Sequence, residues 1–405
     1  MNSPIFYGWR IVAACLVIAI FSWGFGIFGL GVFLHAISQS RGWSVGSISS
    51  AITVAVLLSS VAALFVGPAI GRYGPRIVMT FGGLLMAAGL SFLGFVSEKW
   101  HVYAAFVLNG LGYSCLSVTA ITATLSPWFE RHQGRAMSSA MLGASIGGMT
   151  STPILIFAIE RLGLTQAMIC SAFSVLLVVL PLAVIVLRKS PAEMDLYPDG
   201  EPPRETGKEK PARVWSRAEA LRTPAFISVA IAFALGLGVQ VGFLTHHVTL
   251  AVSSLGTNGA AFIVSLTAVA AFFGRVALAR WADQVDLRVT SCAVLLVASV
   301  SLAAIAAWPS AWMLIGASIL YGLTTGNVTT LSPIIVRREF GAAVFGSIYG
   351  VAWMTIGFAS AFGPALFGWL YDYFGGYAQA LWLAAGIDLI AALVVIAGRP
   401  KKAFS

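Results

Sequence analysis

Twelve apolar stretches of about 20 residues each fill this chain from end to end and leave it few ways to fold. They centre near residues 22, 58, 86, 113, 145, 177, 237, 269, 298, 322, 355 and 387. A stretch of that length crosses the ~30 Å hydrocarbon core of a bilayer as a helix, where the backbone must satisfy its own hydrogen bonds. Strands of a membrane barrel would alternate in polarity at every second residue, and these stretches do not. Charged residues make up 10% of the chain, against roughly 25% in soluble domains. The sequence therefore predicts an all-α membrane protein of twelve transmembrane helices.

A net charge of +9 would suit nucleic acid, but its placement argues otherwise. Apart from Arg275, every Lys and Arg except Arg41, Lys99 and Arg161 falls near the N-terminus, in alternate loops, in the central polar stretch or at the C-terminus. By the positive-inside rule both termini face the cytoplasm, and the protein belongs in the cell (inner) membrane. Trp9, Trp43, Trp100, Trp128, Trp281, Trp308 and Trp369 sit near span ends, as an aromatic belt would. The first apolar stretch is longer than a signal-peptide core and reads as the first span. Cys15, Cys115, Cys170 and Cys292 all fall within spans and lack metal-like spacing, so they read as packing residues.

Residues 188–223 form the one long polar stretch, rich in Pro, Glu, Lys and Arg. It reads as a cytoplasmic linker with a short surface helix near Ser216–Leu221. It divides the chain into 1–187 and 224–405, each a bundle of six spans. The halves resemble each other: LNGLGYSCLSV and LSPWFERHQGR precede a glycine-rich span in the first, and LYGLTTGNVTT and LSPIIVRREFG do so in the second. Paired halves of this kind mark transporters whose substrate binds near the midplane. Two six-helix bundles related by pseudo-two-fold symmetry are the expected architecture.

Arg275 interrupts an otherwise uncharged run, AFIVSLTAVAAFFGRVALA. A guanidinium keeps its proton, so a buried one is costly and usually faces a wet cavity where it holds an anion. Its planar fork can grip a carboxylate through two parallel hydrogen bonds. Asp388 is the other isolated charge within a span. It is either a partner of Arg275, a carrier of a coupled proton, or a neutral packing residue. His246 and His247 lie near the outer end of the seventh span and titrate near neutrality, so either is a candidate for taking a proton or bonding a substrate hydroxyl. Adjacent helix residues point about 100° apart, so one of the two faces the cavity, and the sequence leaves open which. The spans carry no cluster of His, Asp, Glu or Cys for a metal or nucleophile, so no enzyme, metal or cofactor is expected. Glycine runs such as 24–31 and 141–149 serve helix packing, and Pro68, Pro153 and Pro364 kink their spans.

GPAIGRYGPR after the second span and ARWADQVDLR after the eighth resemble the cytoplasmic signature of the major facilitator superfamily. Gly71 stands where the first copy would carry its aspartate; Ala279 and Gln284 replace the glycine and an arginine of the second. Within that superfamily, WFERHQGRAMSSAMLGASIGG and FYGWRI resemble motifs of the monocarboxylate transporters and of their bacterial oxalate–formate relatives. The resemblance implies several roles. Arg275 matches the family's substrate-binding arginine. Asn109 and Tyr113 on the fourth span, Asn327 and Tyr321 on the tenth and Tyr349 on the eleventh become candidates to line the cavity, with Asn327 and Tyr321 orienting a 2-hydroxyl or carbonyl. Arg72, Arg76, Arg131, Arg280, Asp283 and Asp286 become candidates for a cytoplasmic charge gate. Two departures stand out. Ala271 replaces an aspartate one turn before the arginine, and Phe28 takes the place of a first-span lysine, so the family's proton relay does not carry over.

The expected function is transport of a small monocarboxylate, L-lactate or pyruvate, with a proton, by rocker-switch alternating access. The alternatives are an oxalate/formate-type exchanger and a non-transporting membrane sensor. The expected partners are a small carboxylate anion, a proton and the bilayer, with the protein acting as a monomer.

Overall fold

The structure, a computed structural model, describes residues 6–130, 132–200, 215–281, 284–340 and 342–399. The described chain is helical, with short connections and no strand. The first six long helices are α1 (Tyr7–Arg41), α2 (Val45–Tyr73), α3 (Pro75–Gly94), α4 (Lys99–Leu125), α5 (Gln133–Leu162) and α6 (Leu164–Val186). A 58-residue helix, Pro224–Trp281, is broken at Gly256, with φ 68° and ψ 178°. Unbroken, it would run roughly 85 Å, far beyond what a ~30 Å core needs. Glycine takes that conformation without a Cβ penalty, so the chain folds back there. We number the two parts α7 (224–255) and α8 (257–281). There follow α9 (Leu287–Ala307), α10 (Ala311–Phe340), α11 (Ala342–Phe374) and α12 (Ala378–Ala397). Eleven described helices are long and apolar enough to cross a membrane when the broken one counts once. The break makes twelve.

The chain divides into two compact units, Met1–Trp43 with Val54–Lys208, and Ser44–Thr53 with Glu209–Ser405. In the first, α1 packs on α5, and α3 packs on α4 and α6. The second repeats this order: the α7–α8 pair packs on α10 and α11, and α9 packs on α10 and α12. The first residues of α2, through Thr53, belong to the second unit, held there by side-chain bonds. The Asp372 carboxylate accepts from the Gly46 amide at 2.9 Å, Ser50 Oγ from Trp369 Nε1 at 3.0 Å, and Thr53 Oγ1 from the Ala365 amide at 3.1 Å.

The polar stretch after α6 begins docked on the first unit. The Asp199 carboxylate accepts from the Glu130 amide at 2.9 Å and the His132 amide at 3.3 Å, while the Asp199 amide donates to the Trp128 carbonyl at 2.9 Å. Trp128 itself is fully buried against Phe6 and Tyr7. That removes it from the aromatic belt expected of it, because its ring closes the seam between the α1 start and the docked stretch. Trp100, Trp281, Trp308 and Trp369 are exposed as the belt requires. A short helix, Arg217–Leu221, follows, capped reciprocally by Ser216 and Glu219.

One buried ion pair knots the second unit at the start of α9. Arg288, 3% exposed, forks onto Glu339 of α10 at 2.7 and 2.9 Å. Its remaining donors reach Ser228 Oγ and the Ala225 carbonyl on α7 and the Val395 carbonyl on α12, at 2.8–2.9 Å. Four helices thus converge on one guanidinium. Removing one partner of a buried pair strands the other charge, at a cost of about 3–5 kcal/mol. Arg288→Ala is therefore expected to lower the thermal unfolding midpoint of the detergent-solubilised protein far more than Arg280→Ala, whose side chain is exposed.

Candidate functional site

The residues singled out by sequence fall into two groups, one in each unit. In the first unit they gather where α1 loosens into a π-turn at Gly24–Phe28. Single-turn π-bulges in α-helices often accompany functional sites. Asn109 of α4 is 1% exposed and donates from Nδ2 to the Phe25 carbonyl of that turn at 3.2 Å. Tyr113, one turn further along α4, lies against Gly26 and makes an edge contact with Trp23, with centroids 5.6 Å apart. The Phe28 ring rests on Gly148 of α5. The Asn109 Oδ1 atom is buried with no partner among the described residues.

In the second unit Arg275 is half-buried on α8 and lies across Gly326 of α10. Its Nε donates to the Gly326 carbonyl at 3.4 Å. A methyl group at residue 326 would stand 2.5 Å from Arg275 Cγ, 2.6 Å from Nε and 2.9 Å from the Ala271 carbonyl. The bare glycine is what lets the guanidinium lie there. Its neighbour Asn327 is buried, donates from Nδ2 to the Leu323 carbonyl at 3.0 Å, and has an Oδ1 without a partner among the described residues. Tyr321 lies five residues before Gly326, so it points roughly 140° away. It is buried against Phe243 of α7, with centroids 4.5 Å apart. Asn327 follows Gly326 about 100° around α10, and Tyr321 lies on a different face of that helix. Tyr349 pairs its hydroxyl with Ser332 Oγ of α10 at 3.1 Å.

The two histidines separate cleanly. His246 Nε2 lies 2.9 Å from the Pro364 carbonyl and 3.1 Å from Ser49 Oγ, and Nδ1 lies 2.9 Å from the Tyr377 hydroxyl. Burial pushes that hydroxyl above its ordinary pKa. It stays protonated and can donate to Nδ1, while Nε2–H donates to the carbonyl. This is the pattern of a neutral ring fixed between α2, α11 and the start of α12. His247 turns the other way, with Nε2 3.1 Å from Ser318 Oγ of α10 and Nδ1 unpartnered among the described residues. Asp388 of α12 is 1% exposed, and neither carboxyl oxygen has a hydrogen-bond partner among the described residues.

The charge-gate candidates bond as follows. Arg76 Nε donates to the Leu187 carbonyl at 2.6 Å, and the Arg72 carbonyl accepts from Lys189 Nζ at 3.4 Å. Asp286 caps α9 by accepting from the amides of Arg288 and Val289, and it pairs with Arg399. Arg280 is exposed. Arg131 and Asp283 lie outside the described residues. Sequence reasoning missed Gly326, Gln240, Ser318, Tyr377 and Glu339. All but Gln240 matter through a neighbour distant in sequence, so no local pattern announces them.

The sequence profile of the Major Facilitator Superfamily matches residues 15–355. The chain belongs to that superfamily. Curated relatives include human monocarboxylate transporter 7, 24% identical over 98% of this chain and 87% of its own length. Human monocarboxylate transporter 11 is 26% identical over 98% and 83%. Agnestins efflux protein AgnL12 of Paecilomyces divaricatus is 28% identical over 81% and 70%. Among solved structures the nucleoside transporter NupG superposes with a TM-score of 0.72 at 14% identity, over 97% of this chain and 99% of that one. At that identity the superposition speaks for the superfamily's fold alone.

Proposed function

We propose that this protein is a secondary active transporter that moves a small monocarboxylate, L-lactate or pyruvate, together with a proton by alternating access. The observation that carries this reading is Arg275, an arginine laid across the glycine of a neighbouring helix within an apolar span. A guanidinium so placed suits a planar carboxylate, which two parallel hydrogen bonds hold in one orientation. Asn327, the residue after that glycine on α10, is the candidate amide for a hydroxyl or carbonyl on the adjacent carbon. Human relatives named monocarboxylate transporters agree with this chemistry.

The bound anion offsets the arginine's charge, so the loaded site carries less net charge through the apolar core as the protein reorients. An anion entering against an inside-negative potential is opposed by about 2.3 kcal/mol per 100 mV, and a co-transported proton cancels that. In this reading 1–187 and 224–405 are the two moving bundles, 188–223 joins them, and both termini lie in the cytoplasm of a cell-membrane monomer. A carboxylate exchanger would use the same arginine and would need a preloaded acid for uptake.

Competition for labelled L-lactate in preloaded proteoliposomes tests the site. Pyruvate and acetate should compete, whereas lactamide, which has the same shape without the carboxylate, should not. Equal competition by lactamide would rule out an arginine–carboxylate site.

A further inference from the structure

Four residues of α7, Gly236, Gln240, Phe243 and His247, follow one another at helical spacings of four, three and four. They therefore share one face. That face meets α10 residue by residue. His247 bonds Ser318, Phe243 packs on Tyr321, and Gly236 lies against Val328. Asp388 of α12 enters the same space. A methyl placed on Gly236 would lie 3.8 Å from its Oδ1. From α9 the neighbour at that level is Leu295, and the α9 hydroxyl of Ser299 is already spent on the Ala385 carbonyl.

Polar atoms here lack partners. Both Asp388 oxygens, Gln240 Oε1 and His247 Nδ1 are buried without a hydrogen-bond partner among the described residues. An ionised carboxylate with neither donors nor a counter-charge is among the costliest things a protein can bury. A bound proton removes that charge and supplies a donor, and Gln240 Oε1, one turn along α7 from Gly236, is an unpartnered acceptor among the described residues.

We infer that Asp388 is the proton-binding group of this protein, at a buried polar site of the second unit between α7, α9, α10 and α12. His247 and Ser318 lie at the far end of the same α7 face, with Gln240 and the Phe243–Tyr321 pair between them and Asp388. This deepens the proton-coupled reading proposed above and rests on it. This site is separate from Arg275. α10 turns Gly326 toward Arg275 and Val328, about 160° around its axis, toward the Gly236 face that Asp388 meets. A single rigid helix is thus shared by the anion and the proton. Among the described residues, the contacts along this α7 face involve three titratable groups, His247, Tyr321 and Asp388.

Two measurements on the full-length protein decide the matter. The first needs no substrate. A hydrophobic carbodiimide adds only to a protonated carboxyl, whose proton passes to the reagent nitrogen as the oxygen bonds its central carbon. Mass spectrometry at neutral pH should find the adduct on Asp388 of the wild-type protein. The absence of an adduct there, with the reagent active on a control carboxyl in apolar surroundings, would overturn the proposal. The second compares Asp388→Asn with wild type in proteoliposomes. The variant should keep lactate counterflow, lose accumulation driven by a proton gradient, and become sensitive to an imposed membrane potential. Gradient-driven accumulation at the wild-type level would also overturn it. If the wild-type protein moves no carboxylate at all, the transport reading fails by itself, and the carbodiimide result still decides the protonation of Asp388.

Discussion

Replacing Arg275 with alanine is expected to abolish saturable carboxylate uptake while the protein still inserts and folds. Each hydrogen bond to a charged group contributes about 1.5–3 kcal/mol. Losing both arms of the fork weakens apparent affinity by at least roughly 100-fold. Arg275→Lys keeps the charge and loses the planar fork, so it should fall between the two, about tenfold below wild type. The measurement is the substrate concentration that half-saturates counterflow, with surface expression and melting behaviour recorded in parallel. An alanine variant with wild-type half-saturation would remove Arg275 from the site.

Adding one methyl group at Gly326 is expected to weaken binding without removing any polar group. The alanine Cβ would crowd Arg275 at Cγ and Nε and press on the Ala271 carbonyl, so the side chain cannot escape by moving its tip alone. Overpacking of this kind costs about 1–3 kcal/mol, and here it falls on the placement of the guanidinium. Gly326→Ala should therefore raise the half-saturating concentration by roughly tenfold or more. Gly316→Ala on the same helix is the control, because nothing lies within 4 Å of a Cβ added there. Equal behaviour of the two variants would show that Gly326 does not position the arginine.

Much of this architecture is legible in the sequence because a bilayer enforces it. Span length follows from hydrocarbon thickness and survives the loss of all three-dimensional detail. Even the turn between α7 and α8, which lacks a charge or proline, is implied by an apolar run twice as long as one crossing needs. The isolated Arg275 and Asp388 stand out for the same reason.

What could not be read depends on pairings between distant residues. Gly326 looks like any small residue in a span until Arg275 is laid on it. The glycine-rich run of the first span reads as packing, and nothing in GFGIF announces a π-turn held by Asn109. His246 and His247 are chemically identical neighbours. Only the helix phase sends one to Tyr377 and Pro364 and the other to Ser318. Trp128 looks like an interfacial tryptophan and is a buried one, because the stretch after α6 folds back onto it.

The measurement that bears most directly on this account is radiolabelled L-lactate uptake into proteoliposomes with and without an inward proton gradient. Proton-coupled monocarboxylate transport predicts accumulation above equilibrium only with the gradient, blocked by other monocarboxylates and absent in Arg275→Ala. Gradient-independent uptake that requires a preloaded carboxylate would contradict symport. Accumulation that survives Arg275→Ala would contradict the site itself.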